Sequence, residues 1–122
     1  GPMAEEGYVK NVVAHRCIRD IAAGAASVPL LLFSGRRELE EHPALELLRR
    51  PNPGQSGMAW REALFQHLLL AGNAYVEALG EQTPVELWPL RPDRMRVIPG
   101  EGALPQGYEH RAGAAMRRWP CH

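Results

Sequence analysis

Little in this sequence invites a chemical reading at first sight. The 122 residues hold only two cysteines, Cys17 and Cys121, far apart and without a CxxC pair. That spacing excludes a disulfide-stapled scaffold and predicts a reducing compartment, the cytoplasm being the simplest assignment. The longest apolar runs, Val28 to Phe33 and Leu68 to Ala71, fall far short of the ~20 residues a membrane-spanning helix needs, and no charged-then-apolar leader opens the chain. The sequence thus predicts a soluble, unexported protein with no membrane partner. Charge of one sign is missing too, with 14 Lys and Arg against 14 Asp and Glu. The chain as a whole therefore generates no field to attract nucleic acid or an anionic surface, and any such contact must come from local placement or from symmetry.

The motifs of enzymes are absent as well. There is no GxxxxGK[ST] and no GxGxxG, despite Gly100, Gly102 and Gly107, so no nucleotide-binding loop is expected. The five histidines (His15, His42, His67, His110 and His122) show neither HxxxH nor HExxH spacing, and no cysteine pair complements them, so they read as surface and cap residues with no metal. Cys17 lies in an apolar stripe and is expected to be buried and inert, with His15 on another face. A thiol- or metal-dependent hydrolase would need Cys17 or the histidines to converge, and their spread gives that no support. If Cys17 is buried, Cys17→Ala should cost about 1 kcal/mol or more in packing. Arg36-Arg37 and Glu38, Glu40 and Glu41 read as a solvated charged loop, since acid–base chemistry needs carboxylates gathered in a desolvated pocket. No catalytic residue and no cofactor is expected.

What the chain does have is punctuation. Twelve Gly and 11 Pro are spread between apolar segments and mark many short elements. Gly1-Pro2 ahead of Met3 reads as a protease-cleavage scar of recombinant expression, leaving residues 3–122 as one domain, long enough to bury roughly two-thirds of its unfolded surface.

From Tyr8 to Ala26, Val9, Val13, Cys17, Ile21 and Ala25 recur every fourth residue and predict a first helix. Pro29 ends it, and Leu30 to Phe33 reads as a buried strand or extended run. Pro43 at a first helical position, with Glu46 early and Arg49-Arg50 at the end, predicts a short second helix over 42–50. PNPGQSG is a stiff turn, because Pro51 and Pro53 restrict themselves and the residues before them. Ser56 and Gly72 cap a third helix over 57–71, with Trp60, Leu64, Leu68 and Ala71 on its core face.

Alternation then takes over. Asn73 to Leu79 and Val85 to Leu90 form an expected hairpin, followed by a strand from Arg94 to Ile98 and another from Tyr108 to Arg111. The closing GAAMRRWPCH shows no period. Three helices followed by a small antiparallel sheet make an α+β fold.

Pro51-Asn52-Pro53 with Gln55-Ser56, then the run LLLAGNAY from Leu68 to Tyr75, then Leu87 to Met95, occur in an order and spacing that resemble the N-terminal part of portal proteins of long-tailed bacteriophages. The resemblance extends from about Tyr8 to Arg111. Prophage and gene transfer agent portals belong to the same group. It implies a wing-like segment of a structural protein that assembles as a ring at one capsid vertex, acting in DNA packaging, ejection and head–tail connection without enzymatic activity. The implied partners are other portal subunits and the capsid protein. The packaging terminase and the head–tail adaptor are implied through parts absent here, and DNA only through the full ring. The implied location is the virion vertex, with assembly in the host cytoplasm. The rival is a stand-alone interaction module derived from a portal gene.

Two surface hypotheses follow from the strand region. Trp88 shares parity with neither Val85 nor Leu87, so it is expected at the surface and, with Arg91, is the candidate subunit contact. Arg94 and Arg96, expected on one strand face, are the candidate nucleic-acid contact, to be weighed against an ordinary polar strand face.

Overall fold

Alanine, not valine, makes the main helix contact. In the computed structural model, which describes residues 2–120, a long helix α1 (Pro2–Ala26) lies against a later helix α3 (Gly57–Ala71). Its buried residues are Ala22 and Ala26, both with no exposed surface, with Ile18 half-buried on the same line. Val12, Val13 and Ile21 are at least half exposed. The packed seam is rotated away from the expected Val9–Val13–Cys17–Ile21 stripe because small side chains let two helix backbones approach closely, leaving the bulkier residues outside. The α1 C-terminus is tied down by Arg61 of α3, whose guanidinium donates to the Ala26 carbonyl at 2.8 Å. Gly1, Cys121 and His122 lie outside the described residues, as does the side chain of Val9.

Cys17 shares the exposed side of α1, which corrects the expectation of a buried thiol. The packing cost expected of a buried thiol falls away with it. Cys17→Ala should change stability by less than about 0.5 kcal/mol, and native protein should react with a thiol reagent at Cys17 as fast as unfolded protein does; urea titration and a labelling time course check both.

Between α1 and α2 (Pro43–Arg49) the chain makes a small hairpin, β1 (Leu32–Ser34) with β2 (Arg37–Leu39), turning at Gly35 with φ of 64°. The sequence predicts a charged loop here; three-residue strands are too short to show a period, and Arg36, Glu40 and Glu41 remain outside the ladder. Helix α2 opens as expected, with Pro43 at its start and the His42 ring nitrogen accepting from the Ala44 amide at 3.1 Å. Helix α3 begins at Ser56, whose hydroxyl accepts from Ala59 at 3.2 Å, and ends at Gly72 in the left-handed conformation. Gly57 must lack a side chain, since a Cβ there would run into the Leu48 carbonyl where α2 and α3 meet. Trp60 is buried as expected, but Leu68 and Leu69 are nearly half exposed, so the C-terminal end of the α3 apolar face stays open.

The strands fall into separate antiparallel sheets. β3 (Tyr75–Leu79) pairs with β4 (Glu86–Leu90), placing Glu77 opposite Trp88. After a single 3₁₀ turn at Pro92–Arg94 comes the sheet β5 (Met95–Pro99), β6 (Pro105–Ala112) and β7 (Ala115–Pro120), in that order. β7 corrects the view of the closing residues as aperiodic: Ala112-Gly113-Ala114 turns the chain, Gly113 with φ of 62°, and Arg117 and Arg118 then pair with His110 and Glu109. No helix among the described residues is long and apolar enough to cross a membrane.

Candidate functional site: the strand surface from Trp88 to Arg118

The turn at Pro51-Asn52 places β4, and through it everything that follows. Pro51 and Asn52 are the largest fully buried side chains. The Asn52 amide nitrogen donates to the Leu87 carbonyl at 3.0 Å and to the Gln55 side chain at 2.9 Å, while its oxygen accepts from the Gly54 amide at 3.0 Å. The Pro51 carbonyl accepts from the Leu87 amide at 2.7 Å. Buried polar groups persist only when satisfied, and here an asparagine does it for two distant chain segments at once. The stiff turn expected from the prolines is thus a lock onto β4.

Trp88 is half-buried, and its indole nitrogen donates to the Glu86 carboxylate at 2.9 Å. Arg91 is mostly exposed and forms a two-pronged pair with Asp93, at 3.1 and 2.7 Å. Among the described residues no hydrogen bond joins Trp88 to Arg91; each polar tip is already engaged within its own chain. The Arg91 hydrogen bonds hold the Asp93 carboxyl below the usual carboxylate range. His67 of α3 is nearby, its pKa lowered chiefly by burial, with Asp93 opposing that shift and Arg91 adding to it.

Arg94 and Arg96 are not brought together as expected. Arg94 closes the 3₁₀ turn, where its amide donates to the Arg91 carbonyl, while Arg96 stands inside β5. Arg96 instead faces a row the sequence reading missed. It lies opposite Glu109 of β6, which lies opposite Arg118 of β7. Glu109 is buried and receives Arg111 at 3.0 Å and Arg118 at 3.3 Å. The Arg111 hydrogen bond is the main cause of its lowered pKa, with burial opposing. Three arginines around one carboxylate leave this sheet face with surplus positive charge.

The other face of the same sheet points at β3. There Arg117 pairs with buried Glu77 at 2.7 Å and lies 5.1 Å from the Trp119 ring, while Tyr75 meets Tyr108 edge-on at 6.0 Å. The sequence signal for both faces is limited to Gly113 as a turn residue between the two runs, since Ala115 to Pro120 carries no alternation of its own.

A carboxyl with a depressed native pKa contributes stability above its unfolded value, near 4.5 for Glu109, and that contribution is lost as pH falls through the lower folded value. Glu109→Gln should therefore flatten the acid limb of a plot of thermal midpoint against pH. Among the described residues no three His, Cys, Asp or Glu side chains gather as metal ligands.

Comparison with known proteins fits this architecture. The family described as "Phage portal protein" matches residues 12–118. Two uncharacterized proteins are similar to the chain. One, from Rickettsia bellii (strain RML369-C), is 32% identical over 101 residues, covering 81% of this chain and 26% of the relative. The other, from Rickettsia felis (strain ATCC VR-1525 / URRWXCal2), is 36% identical over 85 residues, covering 68% and 22%. The chain thus spans about a quarter of the length of the relatives it matches.

Among solved structures, a chain in the "Neck of empty GTA particle computed with C6 symmetry" superposes with a TM-score of 0.78 at 40% identity, covering 87% of this chain and 28% of that one. A chain in the "Neck of native GTA particle computed with C12 symmetry" gives 0.72 at 38% identity, covering 87% and 27%. A chain in the "Virion of native gene transfer agent (GTA) particle" gives 0.73 at 38%, covering 87% and 27%. With the match running through nearly every described element, this α+β chain belongs to the phage portal protein family.

Proposed function

We propose that this chain forms a wing-like part of a portal ring at one vertex of a phage, prophage or gene transfer agent particle. There it serves DNA packaging, ejection and head–tail connection as a structural element without enzymatic activity. The observation that carries this reading is the shared chain path with a neck component of a gene transfer agent particle, at 40% identity over 87% of this chain. The site geometry supports it, since the polar groups are spent on locking elements together: Asn52 on β4, Glu77 on Arg117, Glu109 on Arg118. Its partners are other portal subunits and the capsid protein, with terminase and head–tail adaptor engaged by other portions of a portal, and DNA by the completed ring. Trp88 and Arg91 are the proposed subunit contact; of the pair Arg94 and Arg96, Arg96 is drawn into the row with Glu109 and Arg118, which leaves Arg94 as the proposed nucleic-acid contact. Assembly takes place in the host cytoplasm, and the final location is the particle vertex.

The test is location. Gold-labelled antibody raised against this chain should decorate a single vertex, at the head–tail junction, of particles released by the source cell and opened by mild denaturant. Label spread over the whole capsid, or absent from particles, would overturn the proposal.

A further inference from the structure

We infer that the groove beside the β1–β2 hairpin of one copy receives the outer face of the β5–β6–β7 sheet of a second copy, in a head-to-tail contact. The inference rests on the portal-ring reading and names the surfaces that would make one of its contacts.

Both halves of this contact carry unspent charge. The groove runs between the segment before β1, strand β2 and helix α2, with Leu30, Leu31 and Leu39 among its apolar lining and Glu38, Glu40 and Glu41 along it. Leu30 and Leu31 are 46% and 61% exposed. None of the three glutamates has an ion-pair partner among the described residues, and neither do the adjacent Arg36 and Arg37. The sheet face has the opposite character. Arg96, Arg111 and Arg118 share a single carboxylate, Glu109, and Arg111 and Arg118 remain 67% and 63% exposed after pairing with it. The Arg96 guanidinium makes no hydrogen bond or close ion pair among the described residues. Ile98 and Pro120 line a second hollow beside Arg96 and Arg118.

The imbalance extends along the chain. Up to Leu90 there are eight basic against eleven acidic residues, and from Arg91 onward six against three, although the total is neutral. Arginine forks match carboxylates in two-pronged geometry. Nucleic acid would satisfy the arginines but would leave the exposed leucines of the groove and the apolar residues of the sheet without a use, whereas a second copy supplies carboxylates and apolar surface together.

The two surfaces lie on different elements and in different sheets, so a single docking event leaves one of each unoccupied. Such a heterologous contact repeats, giving a ring when the rotation closes.

Sedimentation of the purified chain at about 20 mM and about 0.5 M salt, over a wide concentration range, tests the inference. The expected result is an apparent mass above that of a monomer at low salt, falling toward the monomer at high salt. Glu38→Lys with Glu40→Lys and Glu41→Lys should weaken association on the order of tenfold or more, as should Arg96→Glu with Arg118→Glu, and mixing the two variants should restore it. Arg96→Glu alone guards against misfolding on the sheet side, and circular dichroism checks each variant. A wild type that stays monomeric at low salt, variants that associate as the wild type does, or a mixture without rescue would each overturn the contact. Vertex labelling of particles is independent of these results, so the contact can fail while the portal role stands, and the reverse.

Discussion

Asn52→Asp should lower the thermal midpoint more than Asn52→Ala does, although aspartate is the closer shape. Alanine leaves the half-buried Leu87 carbonyl without the amide donor and removes the acceptor of the Gly54 amide, which belongs to an exposed residue that water can reach. The orphaned Leu87 carbonyl costs about 1–3 kcal/mol and the Gly54 amide little once hydrated, so the alanine variant's midpoint should fall by roughly 5–15 °C. Aspartate keeps the acceptor for Gly54 but replaces the donating nitrogen by an anionic oxygen aimed at the Leu87 carbonyl oxygen. That repulsion adds to the cost of burying a charge.

The pH dependence separates this explanation from simple misfitting. The introduced carboxyl has its pKa raised by burial and by the carbonyl it faces. Its penalty is therefore full at neutral pH and is relieved as pH falls through the raised native value, where the protonated oxygen can donate to Leu87. Differential scanning fluorimetry of the wild type and both variants from pH 7 down to about 4.5 should show the gap between aspartate and alanine narrowing. A constant gap would mean the Asn52 nitrogen is not what holds β4.

Asn52 also marks how far the sequence could be read. Its turn was legible, because two prolines and a glycine dictate backbone geometry locally. Its partner was not, because Leu87 lies 35 residues along the chain and nothing in a PNP triplet names the carbonyl it will meet. Local chemistry made α3 readable to the residue, with Ser56 and Gly72 acting as expected at its ends. The β3–β4 hairpin was readable too, from the change of period after Gly72.

The first helix was readable as a helix but not by face. Its seam runs through alanines, which add little to any apolar pattern, while Val12 and Val13, which strengthen the pattern, face outward. At the candidate site the residue types were visible and the couplings were not. Arg91 spends its fork on Asp93, and the basic row follows the register of three strands, joining Arg96 to Arg118 across Glu109 and not to Arg94. The family was more legible than the site, since an ordered series of local turns and caps survives in sequence while cross-strand pairing does not.

Trp60→Ala should be the other severe substitution. Trp60 is 7% exposed, and among the described residues the other apolar side chains buried with comparable completeness are Ala22, Ala26, Leu45 and Pro51, so it is the largest of them by a wide margin. Removing a buried indole costs about 3–5 kcal/mol, a large part of the total stability of a domain this size. The variant should show an early urea midpoint or no folded baseline at all. Trp60→Phe should cost much less, because the phenyl ring keeps most of the apolar contact and because the indole nitrogen is buried without an acceptor among the described residues. Deleting that nitrogen removes a desolvation cost instead of a bond. The comparison tests whether the helices α1 and α3 and the strand region share one cooperative unit. If they do, loss of Trp60 should abolish the protection of β5–β7 amides in hydrogen exchange together with that of α3. If the strands keep their protection, the locks at Asn52 and Glu77 would position the sheet without contributing to a common core, and the arginine face would survive damage to the helices.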